Sequence, residues 1–170
     1  MKSACICIAS VFLLFVFSCK KQGSLANNNT RSSTDSIEYN LNKITLLQLL
    51  NKARQTGYTC GTTVMPPVPS LAWNDLLAKA AYNHSHDMDQ NNYFSHTGLD
   101  GSSPGTRITA VGYNWTTWGE NIAMGYPDEQ SVMNAWLNSP PHCMNIMNGN
   151  FKEIGAGKSG TYWTQDFGSK

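Results

Sequence analysis

Four histidines and a few carboxylates are the residues of this 170-residue chain best suited to move a proton or hold a metal. His84 lies one turn after Ala80 and one turn before Met88, on what reads as the apolar face of a helix, so a core role is expected for it. His86 points to the opposite, solvated face. His96 sits in Tyr93-Phe94-Ser95-His96-Thr97-Gly98, a loop just after that helix, where functional groups gather. Glu120 stands between Gly119 and Asn121 in an otherwise apolar stretch. A carboxylate there is either exposed or paired, because burying it alone is very costly. His142 follows Pro140-Pro141. Two imidazoles and a carboxylate suit a divalent ion such as zinc with positions left open for water. Water on such an ion becomes a nucleophile near neutral pH, with Glu120 as general base. Spacing alone does not join the three residues, since no His-Glu-x-x-His or Cys-x-x-Cys is present. A hydrogen-bonded network tying loops together is the plainer alternative.

The elements that must position these residues follow from the pattern. Ile44 to Thr56 repeats apolar residues at Ile44, Leu47, Leu50 and Ala53, the spacing of a helix, with Gly57 as its stop. Tyr58 to Ser70 holds Cys60, Gly61 and three prolines and reads as loop. Asn74 is the expected N-cap of a helix that carries Leu76, Leu77, Ala80, Ala81, His84 and Met88 on one face and reaches about Asn91. A loop from Phe94 leads into a short helix near Pro104, ended by Gly112. Trp115 to Met124 reads as a strand or an irregular segment. Asp128 caps a helix through Val132, Ala135 and Trp136 that Pro140-Pro141 ends. Glu153 to Lys158 and Thr161 to Phe167 read as two strands joined at Ser159-Gly160. Helices precede strands with no strand–helix–strand rhythm, which gives the class α+β.

The five cysteines give location. Ile6 to Phe17 is almost purely apolar and rises about 18 Å as a helix, against about 30 Å of hydrocarbon core, so a signal-peptide core fits better than a span. Val16-Phe17-Ser18-Cys19 resembles a bacterial lipobox, which implies cleavage after Ser18 and lipidation of Cys19. An ordinary cleaved signal is the alternative. The expected organisation is a signal over 1–18, a flexible Ser/Thr/Asn-rich tether over 19–42 and one folded domain over 43–170. Cys5 and Cys7 leave with the signal. Cys60 and Cys143 remain in an oxidising compartment, as one disulfide or as two buried thiols. Twelve Lys+Arg face eleven Asp+Glu, and losing Lys2 levels the balance, so no net field draws nucleic acid.

Taken in order, the segments resemble the CAP superfamily of SCP-like domains. The resemblance runs from Leu71-Ala72-Trp73-Asn74 through Ala81-Tyr82-Asn83-His84, Phe94-Ser95-His96-Thr97 and Gly119-Glu120-Asn121. It continues through Ala135-Trp136-Leu137-Asn138-Ser139-Pro140-Pro141-His142 and Phe151-Lys152-Glu153-Ile154-Gly155 to Tyr162-Trp163-Thr164-Gln165-Asp166-Phe167-Gly168. It implies an α–β–α sandwich, with a small, mostly antiparallel sheet between helical layers. It also implies a cleft with a tetrad of two histidines and two glutamates. His96 and His142 match the histidines and Glu120 matches one glutamate; Ser139 stands where the second would fall. Cys60-Gly61 and His142-Cys143 match a bacterial variant of the pattern, which supports a Cys60–Cys143 disulfide. The expected protein is a monomeric envelope lipoprotein, held to the membrane through Cys19. Its cleft would bind a divalent metal, small ligand, lipid or peptide through His96, Glu120 and His142. The alternative is a metal-dependent, peptidase-like hydrolase using the same three residues on peptide or cell-envelope material.

Overall fold

The computed structural model describes residues 37–170, so the expected signal, Cys19 and most of the tether lie outside the described residues. In chain order the elements are β1 (Ile37–Glu38), β2 (Leu41–Asn42), α1 (Lys43–Thr56), β3 (Tyr58–Cys60), β4 (Thr63–Met65), β5 (Ala72–Trp73) and α2 (Asp75–Asn91). There follow α3 (Pro104–Ala110), β6 (Thr117–Met124), α4 (Glu129–Asn138), α5 (Pro140–Ile146), β7 (Glu153–Ser159) and β8 (Tyr162–Ser169). Short polar side chains take up the first amides that the helices leave unpaired. Asn42 accepts from the Thr45 N–H before α1, and Asn74 from Leu76 and Leu77 before α2. Asp128 and Ser131 form a reciprocal capping box before α4.

Strand alternation sets the layers. The four-stranded sheet runs β5-β7-β8-β6. Its β5–β7 pairing is parallel, and β7–β8 and β8–β6 are antiparallel. Ile154 and Ala156 of β7 and Trp163 and Phe167 of β8 share one face. There they join Leu46 and Leu50 of α1, Trp136 of α4 and Ile146 of α5 in the main core. Gly155 and Gly157 face the other way, and α2 lies directly on them. A β-carbon on Gly157 would sit 2.3 Å from the Tyr82 Cα. Helices thus cover both faces of a mostly antiparallel sheet, the expected α–β–α sandwich.

Several local expectations shift. The stretch read as loop contains the β3–β4 hairpin, because its β-branched and aromatic residues precede the first proline, Pro66. Trp115 to Met124 resolves into strand β6 from Thr117 onward. Pro140 does more than follow α4: it opens α5, at a position where its missing N–H costs nothing. That puts His142 in the first turn of a helix. On α1 the fully buried residues are Leu46, Leu50 and Arg54, while Ile44 is exposed. The Arg54 guanidinium draws that face inward by donating to the carbonyls of Pro69, Ile146 and Asn148. Burial lowers its pKa to about 10, so it keeps its charge at neutral pH. At the other end, β1–β2 pairing and the buried Leu41 carry packed structure into the last residues of the expected tether.

Cys60 of β3 and Cys143 of α5 form a disulfide, with Cα atoms 5.5 Å apart and 83 residues between them in sequence. A loop of that length corresponds to about 4.5 kcal/mol of stabilisation in the chain-entropy view. The bond ties the β3–β4 hairpin to the helix that carries His142. No helix among the described residues is long and apolar enough to cross a membrane.

Candidate functional site

The His96 loop is fixed from its base upward. Asn92 ends α2 in the left-handed region at φ 53°, turning the chain toward the sheet edge. His84, buried on α2 as its spacing requires, donates its Nε2–H to the Ser95 carbonyl at 2.9 Å. Burial holds the His84 pKa below its ordinary value, against the pull of Glu120, so the ring serves as a neutral donor. Tyr93 donates its hydroxyl to Asp87 from the same loop. His84 is therefore a core residue that positions the segment bearing His96.

His96 and Glu120 meet. Nδ1 of His96 lies 2.7 Å from Glu120 Oε1, with 52% of the His96 side chain exposed and 1% of the Glu120 side chain. The second carboxylate oxygen, Oε2, accepts from Arg107 Nη2 at 2.6 Å. Arg107 also donates to the carbonyls of His96 and Ser102, both at 3.0 Å. One guanidinium from α3 thus neutralises the buried carboxylate and laces the loop to it. The expected alternative of a paired carboxylate is the one the fold adopts. Arg107 had no motif to mark it; the need for a cation beside a buried Glu120 was its one sequence signal.

Behind Glu120 stands a second carboxyl. Strand register places Asp166 of β8 directly beside Glu120 on the α2 face of the sheet. Asp166 is fully buried, and neither of its oxygens has a hydrogen-bond partner among the described residues. Burial first, and then the charge of Glu120, raise its pKa well above the carboxylate range, with Arg107 opposing. Burial therefore favours the protonated form of Asp166 beside the carboxylate of Glu120. The Asp166 pKa when unfolded is about 3.9. Above that value the unfolded chain gives up a proton that the fold retains, so stability falls as pH rises from about 4 through the raised folded value. Asp166→Asn keeps the shape and removes this slope. Urea unfolding between pH 4 and 8 should show a flatter stability profile for the variant, with no loss at pH 7. Equal slopes in both proteins would contradict a neutral Asp166.

His142 comes to the same cleft from α5. It is half-buried, and its pKa is lowered by burial and then by the charge of His96. An amide ladder holds it in place. Asn121 Nδ2 donates to the His142 carbonyl at 3.1 Å, and Asn145 Nδ2 donates to Asn121 Oδ1 at 2.9 Å and to the Glu120 carbonyl at 3.1 Å. Asn121 thus docks α5 against β6, a role the Gly-Glu-Asn pattern did not disclose. The cleft has a volume of ≈ 610 Å³. Phe94 to His96 form one wall, Trp136, Ser139 and His142 the other, and Ile122 to Met124 the floor. Ser139 occupies the wall where the resemblance would put a glutamate. Glu129 and Glu153 are engaged elsewhere, with Asn42 and with Asn74 and Tyr113 respectively.

The three sequence-marked residues are therefore two imidazoles lining a cleft and a carboxylate behind one of them. Among the described residues no group of three or more His, Cys, Asp and Glu side chains is placed to share one ion. Gly101-Ser102-Ser103-Pro104-Gly105 has Gly-x-Ser-x-Gly spacing, but Ser103 follows a loop and caps α3, with its hydroxyl engaged by Thr106. It is no nucleophile elbow, which needs a strand before the serine.

Residues 47–167 match the model of the cysteine-rich secretory protein family, CAP. The chain belongs to the CAP family. This CAP chain is 35% identical over 142 residues to YkwD, an uncharacterized protein of Bacillus subtilis, covering 82% of this chain and 51% of that protein. It therefore spans about half the length of that relative. An extracellular SCP-domain protein of Bacillus anthracis shares the fold with a TM-score of 0.65 and 32% identity, over 75% of the CAP chain and 40% of its own. An outer surface protein of Borrelia burgdorferi does so with a TM-score of 0.60 and 25% identity, over 75% and 88%.

Proposed function

We propose that this CAP domain is an extracytoplasmic binding module, held at the bacterial cell envelope through a lipid on Cys19, whose cleft receives a ligand at His96 and His142. The held ring of His96 carries the reading. Glu120 takes its Nδ1–H, so in the neutral ring Nε2 keeps a lone pair on a half-exposed side chain of the cleft wall. A carboxylate behind an imidazole fixes tautomer and orientation for a metal or a hydrogen-bonding ligand. The extracellular and outer-surface descriptions of two relatives support the location. The lipid on Cys19 rests on the lipobox resemblance.

Two imidazoles line the cleft, and a divalent ion such as zinc would take them as two ligands, fewer than the three or four protein ligands usual for zinc. His96 and His142 would hold it, Glu120 would orient rather than ligate, and the ion would offer open positions to an incoming ligand. The hydrolase alternative gains no support, because both Glu120 oxygens are engaged and neither is placed as a general base. Calorimetric titration with zinc tests the reading. His96→Ala and His142→Ala should each weaken binding at least about tenfold, and Glu120→Gln by about 10–100-fold, with circular dichroism confirming the fold. Unchanged affinity in both histidine variants would remove the site.

A further inference from the structure

We infer that the cleft takes an extended peptide segment, which adds to the open edge of β6 at Met124; this rests on the binding reading above. Sheet order leaves β6 at the edge, paired with β8 on one side and flooring the cleft on the other. The direction of its backbone groups follows from two side-chain contacts. Trp136 Nε1 donates to the Ile122 carbonyl at 3.2 Å, and Asn145 Nδ2 to the Glu120 carbonyl at 3.1 Å. Both donors come from the α4–α5 side, so the even-numbered residues of β6 turn their polar backbone away from β8. Gly125 N–H, one residue further on, bonds back to the Thr161 carbonyl, which continues the same alternation.

Met124 is the next even residue. Its N–H and C=O point outward from the sheet on the cleft floor, beyond the reach of the two capping side chains. A donor and an acceptor at strand spacing are matched by one residue of another extended backbone, which supplies both complements at once. The surroundings suit such a chain. Phe94 and Met124 are each 48% exposed, so apolar surface flanks the open backbone pair. Side chains alternate along an added strand, so every second one would meet that surface. Met124 lies four strand steps along β6 from Glu120, about 13 Å, so a peptide bridged at Met124 reaches the imidazoles within about four residues.

The test uses the full chain and fluorescein-labelled octapeptides, acetylated and amidated at their ends, with Val or Leu alternating with Thr. Fluorescence polarisation should show saturable binding. Met124→Ala keeps the backbone and trims only part of the flanking apolar surface, so it should weaken binding less than the proline variant does. Met124→Pro deletes the outward N–H without touching the β6–β8 ladder, and should weaken binding about tenfold, the worth of one good hydrogen bond. Should the proline variant fail to fold, peptides N-methylated at alternate amides supply the same loss from the ligand side in one of the two registers. Wild-type affinity in Met124→Pro, or in both N-methyl series, overturns the inference. So does the absence of any peptide binding, and zinc titration then separates the cases: retained His96/His142 binding spares the binding reading, and its loss removes both.

Discussion

Arg107→Met is expected to destabilise the domain by about 3–5 kcal/mol, the range for breaking a buried ion pair from one side. The guanidinium is the cation hydrogen-bonded to Glu120, whose side chain is 1% exposed, and Arg107 itself is only 13% exposed. Methionine fills much of the volume but leaves the buried Glu120, beside Asp166, with only the His96 ring against it. The loop loses its lacing as well, since Arg107 also donates to the His96 and Ser102 carbonyls. Adding Glu120→Gln to Arg107→Met should recover part of the loss by removing the stranded charge. Urea unfolding of the two single variants and the double variant measures the coupling. A loss under about 1 kcal/mol in Arg107→Met would mean an exposed, weakly coupled pair.

Gly155→Ala should be at least as damaging. Its β-carbon would lie 1.9 Å from the Ala78 nitrogen and 2.3 Å from the Leu77 carbonyl carbon, so the obstruction is helix backbone, not a side chain that can turn aside. Overpacking ordinarily costs about 1–3 kcal/mol. Here α2 must lift from the sheet, and a loss above about 3 kcal/mol is expected, along with movement of the His96 loop that α2 carries. Gly149→Ala is the control: its β-carbon would meet Val68 at an ordinary 3.5 Å. That substitution should stay within about 0.5 kcal/mol. Equal melting temperatures for the two variants would contradict direct seating of α2 on β7.

The parts of this structure that sequence made legible are those with local causes. Asn74 and Asp128 cap helices because of their own side chains, and the turn at Gly160 joins β7 to β8 as the pattern at Ser159-Gly160 implied. His84 was placed correctly by helical spacing alone. Bringing His96, Glu120 and His142 together took the family resemblance, because the three sit on a loop, a strand and a helix that meet only in the fold. What escaped has non-local causes. Arg107 pairs with Glu120 across 13 residues, Asp166 meets it through strand register, and Asn145 reaches Asn121 from another layer. The α1 face rotated toward Arg54 because carbonyls far along the chain accept its hydrogen bonds.

Glu120 is expected to hold His96 so that it and His142 meet a ligand in one cleft. Long-range 1H–15N NMR of the histidine rings, recorded without metal and then with one equivalent of zinc, tests it most directly. Without metal, His96 should show the tautomer protonated at Nδ1 and bare at Nε2. With zinc, ring nitrogens of His96 and His142 should shift together while those of His84 and His86 stay fixed. A His96 ring protonated at Nε2 alone, or zinc shifts confined to His84 or His86, would contradict it.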